Sequence, residues 1–286
     1  MQAISFSIFY HHPIHILSFF SLLMALLSIW IKKAFWIWGS FGFLSFLGAF
    51  ASGLLAPIAF LPLTFFILLI WGLQFELRGF SRFLLASTLF LLGGALFFHI
   101  LPGFLDQTFL PYPLCLSYSK TFVGLTLLGW IVPTLNISKT SLKILITPIG
   151  VAFIATSFLT TFFFLLYPSL WHFHFSLSFF AWAIANLFFN IIPEEALLRG
   201  FLQKELVGWL GGGLKSQICT VAITALIYLL FHLSWVGDLS FLIPTFAVGL
   251  TYAILYQATK IIETSIICHF LVGSLHYLFL GPLPFF

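Results

Sequence analysis

Long apolar runs alternate with short polar breaks over the whole chain. The runs fall near residues 14-31, 34-54, 58-76, 82-103, 121-138, 144-167, 175-198, 216-236, 240-258 and 264-281. Each approaches the roughly 20 residues that an α-helix needs to cross a bilayer. None shows the period-two alternation of an outer-membrane strand. Because a backbone in lipid must satisfy its own hydrogen bonds, the pattern predicts an all-α fold, a polytopic helical membrane protein with about ten transmembrane helices.

The polar breaks carry an orientation signal. Lys32 and Lys33, Arg78 and Arg82, Lys139 and Lys143, Lys204 and Lys215, and Lys260 occupy every second gap, while the gaps between them hold only Asp106, Lys120 and Asp238. The positive-inside rule places the basic gaps in the cytoplasm and both termini on the other side. The longest gap, from about Phe104 to Lys120 with Pro111 and Pro113, is the best internal boundary. Nearly all intramembrane polar candidates follow residue 175. Residues 1-120 are therefore read as accessory N-terminal transmembrane helices and 121-286 as the active part.

Composition narrows the class. With 62% hydrophobic and 6% charged residues and a mean hydropathy of +1.16, the 286-residue chain is too apolar for a soluble globular domain. The formal charge of +4 does not point to nucleic acid, because the basic residues stand singly or in pairs at the ends of apolar runs. The expected partner at this level is the lipid bilayer, with the chain an integral membrane protein; no nucleic acid is expected. Met1 to His15 carries no Lys or Arg, so no cleavable signal peptide is read there. Cys115, Cys219 and Cys268 lie too far apart for a paired framework and are read as apolar filler.

Against this background one stretch is conspicuous: Ile191-Ile192-Pro193-Glu194-Glu195-Ala196-Leu197-Leu198-Arg199-Gly200. An ionised carboxylate at membrane depth is costly unless it is paired or faces a polar cavity, so an intramembrane Glu-Glu is a functional-site hypothesis. On a helix Glu195 and Arg199 are i,i+4 neighbours able to pair, whereas Glu194 is rotated by about 100° and left for chemistry. Pro193 removes a backbone donor, which predicts a kink or break there. Gly211-Gly212-Gly213 then predicts a tight turn. Counted from that turn, Glu194 and His232 stand about 17 and 19 residues away, or roughly 25 to 28 Å on antiparallel helices. They are expected at one level.

A carboxylate opposite an imidazole can activate water, with Glu194 as general base and His232 sharing or relaying the proton. In the last run His269, Gly273 and His276 fall within about 60° on one helical face. Either histidine could stabilise an oxyanion or, with His232 and Glu194, ligate a metal.

Glu194-Glu195-x-x-x-Arg199-Gly200, then Tyr228-x-x-x-His232, then Phe246-Ala247-Val248-Gly249-Leu250-Thr251-Tyr252, then His269 resemble the ordered motifs of the CPBP family, the CAAX-protease and bacteriocin-processing intramembrane peptidases. The resemblance covers about 175-280. It implies a CAAX-protease-like bundle in the C-terminal part and an endopeptidase in which Glu194 and His232 activate water. Glu195 and Arg199 would be a supporting pair, and His269 would help hold the oxyanion. If a metal is used, Zn held by Glu194, His232 and His269 is the expected arrangement. This chain departs twice from the pattern: Tyr228 stands where Phe is usual, and Gly273 stands where Asn usually follows the last histidine by four residues. Glycine offers no side-chain donor, and His276, one turn further on, is the candidate to replace it.

Other readings stay open. Glu194, Glu195 and Arg199 could form a structural cluster near a helix end, where charges are cheaper, and Gly249 could serve close packing. A membrane binding or immunity protein without turnover is favoured by Gly273. A proton-coupled transporter would use Glu194 and the histidines as a relay, at odds with the clustering of candidates in the final third.

Overall fold

A computed structural model describes residues 13–31, 34–104, 116–135, 142–168, 171–233 and 241–280. His11, His12, Lys32, Lys33, Asp106, Pro111, Pro113, Cys115, Lys139 and Asp238, several of which carry the orientation reading, lie outside the described residues.

Ten helices run through the described residues, with no strand among them. In chain order they are α1 Pro13–Ile31, α2 Phe35–Ala51, α3 Phe60–Gly72, α4 Gly79–Phe97, α5 Tyr118–Trp130, α6 Leu142–Leu166, α7 178–209, α8 Leu214–His232, α9 Leu242–Thr259 and α10 Ile262–Leu280. A short 3₁₀ turn, Pro57–Ala59, leads into α3. Six of the ten are long and apolar enough to cross a membrane: α1, α4, α6 from Ile146, α8, α9 and α10. Their outward faces carry large apolar side chains such as Phe80, Leu91, Ile154 and Leu165, the surface expected against lipid tails.

The other helices depart from simple spans in informative ways. α5 has only 13 residues, and every side chain from Tyr118 to Leu128 is buried. Hydropathy marks it as a span, but it meets protein on all sides. α7 carries the Glu-Glu motif and is buried without interruption from Ile191 to Gln203. One flank of it, through Phe189, Ile192, Ala196, Leu197 and Phe201, joins a core shared with α1 to α5. The other, through Leu198 and Leu202, joins a second core with α6, α8, α9 and α10. The apolar packing thus crosses residue 120 without a break.

The break expected at Pro193 does not occur. The chain stays helical but widens into π-helix over Leu187–Ile191 and again over Ala196–Gln203, with an α-helical turn Ile192–Glu195 between. A π stretch inserts an extra residue per turn and opens the ring of hydrogen bonds, which accommodates the missing proline N–H while the chain stays helical. The Phe189 carbonyl, four residues before the proline, has the Thr121 hydroxyl of α5 at 3.5 Å.

Close helix approach depends on small residues. Ser18 and Ser45 exchange hydrogen bonds with each other's carbonyls at 2.8 Å between α1 and α2. At Gly124 a Cβ would stand 2.5 Å from the Pro193 Cα, so α5 lies directly on the motif helix. Two polar ties span distant parts of the chain. Arg82 of α4 holds Glu205 with two hydrogen bonds of 2.9 and 2.7 Å. Trp30 Nε1 and the Leu135 N–H both donate to Glu263 Oε1 at 2.7 Å. Beyond α7, Gly211 and Gly212 adopt φ of +93° and +74°, the left-handed conformation that makes the turn into α8 a glycine site.

Gly124→Ala should destabilise the protein by about 1–3 kcal/mol through overpacking against Pro193, read as a lowered unfolding temperature in detergent. Gly94→Ala, whose Cβ meets no atom within 4 Å, is the matched control. Equal temperatures for the two variants would mean that α5 and α7 do not approach this closely.

Candidate active site

The four sequence motifs converge on one buried guanidinium. Arg199 is 0% exposed and its Nε lies 3.4 Å from Glu195 Oε2, an i,i+4 pair on α7. Its Nη2 donates to the Gly249 carbonyl of α9 at 3.2 Å. The guanidinium carbon sits 4.8 Å from the Tyr228 ring of α8 and 5.5 Å from the Tyr252 ring of α9, giving the cation aromatic faces where water is absent. Gly249 is glycine for a steric reason: a Cβ there would reach within 2.5 Å of the Tyr228 ring. Gly200 likewise faces Val132, at 2.5 Å from a built Cβ.

Glu195 is shared between helices. Its Oε1 accepts a hydrogen bond of 2.8 Å from His269 Nδ1 of α10, so the same carboxylate engages Arg199 and His269. The His269 ring stacks on Tyr252 with centroids 4.6 Å apart. Because a carboxylate oxygen accepts, Nδ1 of His269 carries the proton, and Nε2 is the nitrogen left for other work.

Glu194 and His232 form the second layer. Both are buried, and His232 Nε2 stands 3.8 Å from Glu194 Oε1. His232 Nδ1 donates to its own helix at the Tyr228 carbonyl, 2.9 Å away, and the ring stacks on Tyr228 at 4.1 Å. With Nδ1 protonated, a neutral His232 turns the Nε2 lone pair toward Glu194. Two acceptors at 3.8 Å do not bond directly. They leave a place where one water can donate a hydrogen to each.

The expected residues are therefore distributed as follows. Glu194 faces His232, Glu195 links Arg199 to His269, and Tyr228 packs between His232 and Arg199. His276 lies half-buried two turns beyond His269. At Gly273 a Cβ would meet only Asn186 Nδ2 at 3.6 Å and the Trp182 ring at 3.8 Å, so the site has room for a side chain.

Several participants escape a reading by motif. Gln203, fully buried, donates from Nε2 to the Ala253 carbonyl at 2.9 Å, and its spacing from Glu195 and Arg199 extends one polar stripe that could have revealed it. Lys120, assigned to a gap, lies in the first turn of α5, buried, with Nζ 3.3 Å from Asn190 Oδ1 and 4.6 Å from the Phe97 ring. Its polar flanks hide it from hydropathy. Cys268 is buried and accepts from the Thr156 hydroxyl at 3.4 Å, a packing role.

Among the described residues the ligand atoms that lie within 4.8 Å of one another and could hold a metal ion belong to Glu194, Glu195 and His269, not to the expected Glu194, His232 and His269. In that group His269 Nδ1 is hydrogen-bonded to Glu195, which leaves Nε2 as the ring nitrogen a metal would take. Glu195 also faces the Arg199 cation through its other oxygen.

Removing Arg199 should leave Glu195 as an uncompensated buried charge. Arg199→Ala is expected to cost about 3–5 kcal/mol of stability, measured by unfolding in detergent. Arg199→Lys should recover little of it, since an ammonium cannot reach Glu195 and the Gly249 carbonyl while stacking on two rings. A wild-type unfolding temperature for Arg199→Ala would show that the pair is not structural.

Residues 176–275 match the family described as type II CAAX prenyl endopeptidase Rce1-like, an interval that begins just before α7 and ends within α10. No curated protein and no solved structure matches the chain. Over residues 176–275 the chain carries a domain of the Rce1-like type II CAAX prenyl endopeptidase family, the membrane proteases whose ordered motifs it resembles.

Proposed function

We propose that the protein is an intramembrane endopeptidase that hydrolyses a peptide bond of a membrane-associated or lipidated substrate with water activated by Glu194 and His232. The observation that carries this reading is the buried pair itself, with Glu194 Oε1 and His232 Nε2 facing each other at 3.8 Å. At this spacing one water lying to the side of the pair can reach both atoms.

In this mechanism the water donates one hydrogen bond to Glu194 and one to His232. Glu194 takes a proton as the oxygen attacks the scissile carbonyl carbon, forming a C–O bond and moving the carbonyl electron pair onto oxygen. His269, fixed by Glu195, presents Nε2 to that oxyanion when the ring is protonated. Collapse reforms the carbonyl and breaks the C–N bond, and Glu194 returns its proton to the leaving amine. The products are an amine and a carboxylic acid, which releases its remaining proton to water to become a carboxylate. Arg199, Tyr228 and Tyr252 hold the two carboxylates and two imidazoles in register and touch no substrate. No step calls for a metal.

Residues 1-120 serve in this reading as accessory helices bracing a peptidase domain over 121-286. The alternation of basic gaps supports an orientation with both termini outside the cytoplasm, and this reading takes the membrane to be a bacterial cytoplasmic one. A membrane binding protein without turnover remains the second reading, favoured by Gly273.

Glu194→Gln keeps the volume and removes the base. Purified protein and this variant, given membrane peptides with and without lipid anchors and read by mass spectrometry, should differ by about 10²- to 10⁴-fold in cleavage rate at unchanged unfolding temperature. A chelator in the reaction should not slow the wild type. Equal cleavage by Glu194→Gln would remove Glu194 from the mechanism, and loss of activity with chelator would restore the metal.

A further inference from the structure

We propose that Asn186 is a catalytic residue of this site, its side-chain amide donating to the substrate carbonyl oxygen from the place that Gly273 leaves open. The proposal rests on the peptidase reading above. Asn186 is only 4% exposed, yet its Oδ1 accepts no hydrogen bond among the described residues. A buried amide in that state is costly unless a ligand completes it. With Nδ2 toward residue 273, the orphan Oδ1 is an acceptor, and a peptide group of the substrate offers both the carbonyl that Nδ2 needs and an N–H for Oδ1.

Position is the second argument. The amide nitrogen lies 3.6 Å from where a Cβ of residue 273 would be. Gly273 is one turn beyond His269 on α10, so the Asn186 amide and the His269 ring border the same strip of that helix, about 6 Å apart along its axis. A side chain at 273 would occupy the space beside the amide, and glycine keeps it clear.

Register is the third. Asn186, Asn190 and Glu194 follow one another at intervals of four along α7. In a regular α-helix eight residues would rotate Asn186 and Glu194 apart by about 80°. The π-helical stretch Leu187–Ile191 turns less per residue and straightens the stripe. Asn190 in the middle is engaged by Lys120 Nζ. Asn186 therefore faces the same side as the water-activating carboxylate, with the His269 ring completing the cradle from the opposite helix. A substrate carbonyl placed between them would receive two donors as its oxygen becomes negative, an arrangement in which each donor contributes mainly in the transition state.

The test uses the full-length protein in proteoliposomes with a fluorogenic prenylated CAAX peptide and a set of unlipidated membrane peptides, taking whichever is cut in a Glu194-dependent way. Asn186→Ala should lower kcat by about 10²- to 10³-fold with little change in KM. Adding Gly273→Asn to Asn186→Ala should recover part of kcat, because the new amide grows from the vacated place. A packing role would instead lower the unfolding temperature, move kcat and KM together and show no recovery, and that pattern would overturn the proposal. So would an unchanged kcat in Asn186→Ala beside an inactive Glu194→Gln, which leaves the peptidase reading intact. If no peptide is cut in a Glu194-dependent way, both readings fall. Should Asn186→Ala not yield monodisperse protein, Asn186→Asp keeps the shape without the amide donor, and wild-type kcat in that variant overturns the proposal equally.

Discussion

A guanidinium that is fully out of water needs partners, and Arg199 has a carboxylate, a carbonyl and two aromatic faces around it, with Nε and Nη1 making no hydrogen bond among the described residues. Desolvating the charge is repaid only by an accurate set of partners, and no single helix can supply them. Glu195 comes from the same helix, the Gly249 carbonyl from α9, and the aromatic faces from Tyr228 and Tyr252. Three helices are locked at one depth by one cation. The two histidines then follow as dependants: His269 is fixed through Glu195, and His232 stacks on the tyrosine that covers the guanidinium.

That dependence separates support from chemistry. Of two adjacent carboxylates, one is tied to a cation and a ring nitrogen, and the other faces an imidazole across a gap. Successive residues on a helix point in different directions, so a Glu-Glu pair can serve two purposes with no intervening sequence. The aromatic and glycine positions of the remaining motifs serve this partition by steric means. Gly249 lets Tyr228 approach α9, and Tyr228 fills the resulting space.

Much of the fold was legible because lipid leaves few alternatives. A run near 14-31 became Pro13–Ile31, and one near 240-258 became Leu242–Thr259. The pairing of Glu195 with Arg199 and the common level of Glu194 and His232 followed from helical rise and rotation alone. Other features were hidden for identifiable reasons. Hydropathy cannot distinguish lipid from protein as surroundings, so α5 looked like any other span although it is buried on all sides. Proline was expected to kink or break α7, and the chain instead continues as helix through it and widens on either side. Lys120 was placed in a gap because a lone cation beside polar neighbours resembles a loop. Asn186, a neutral residue in an apolar run, carried no signal until its neighbour across the interface, Gly273, was known.

Glu263 lies within the segment that matches the endopeptidase family, yet two hydrogen bonds on its carboxylate come from Trp30 and Leu135, both outside that segment. Pro193, also inside it, fits against Gly124. Cut at its family boundaries, residues 176–275 would take along an acidic group stripped of those donors and a proline surface shaped for a helix no longer there. The recognisable domain is thus smaller than the cooperative unit, and grafting its motifs onto another bundle would require carrying α1 and α5 with them.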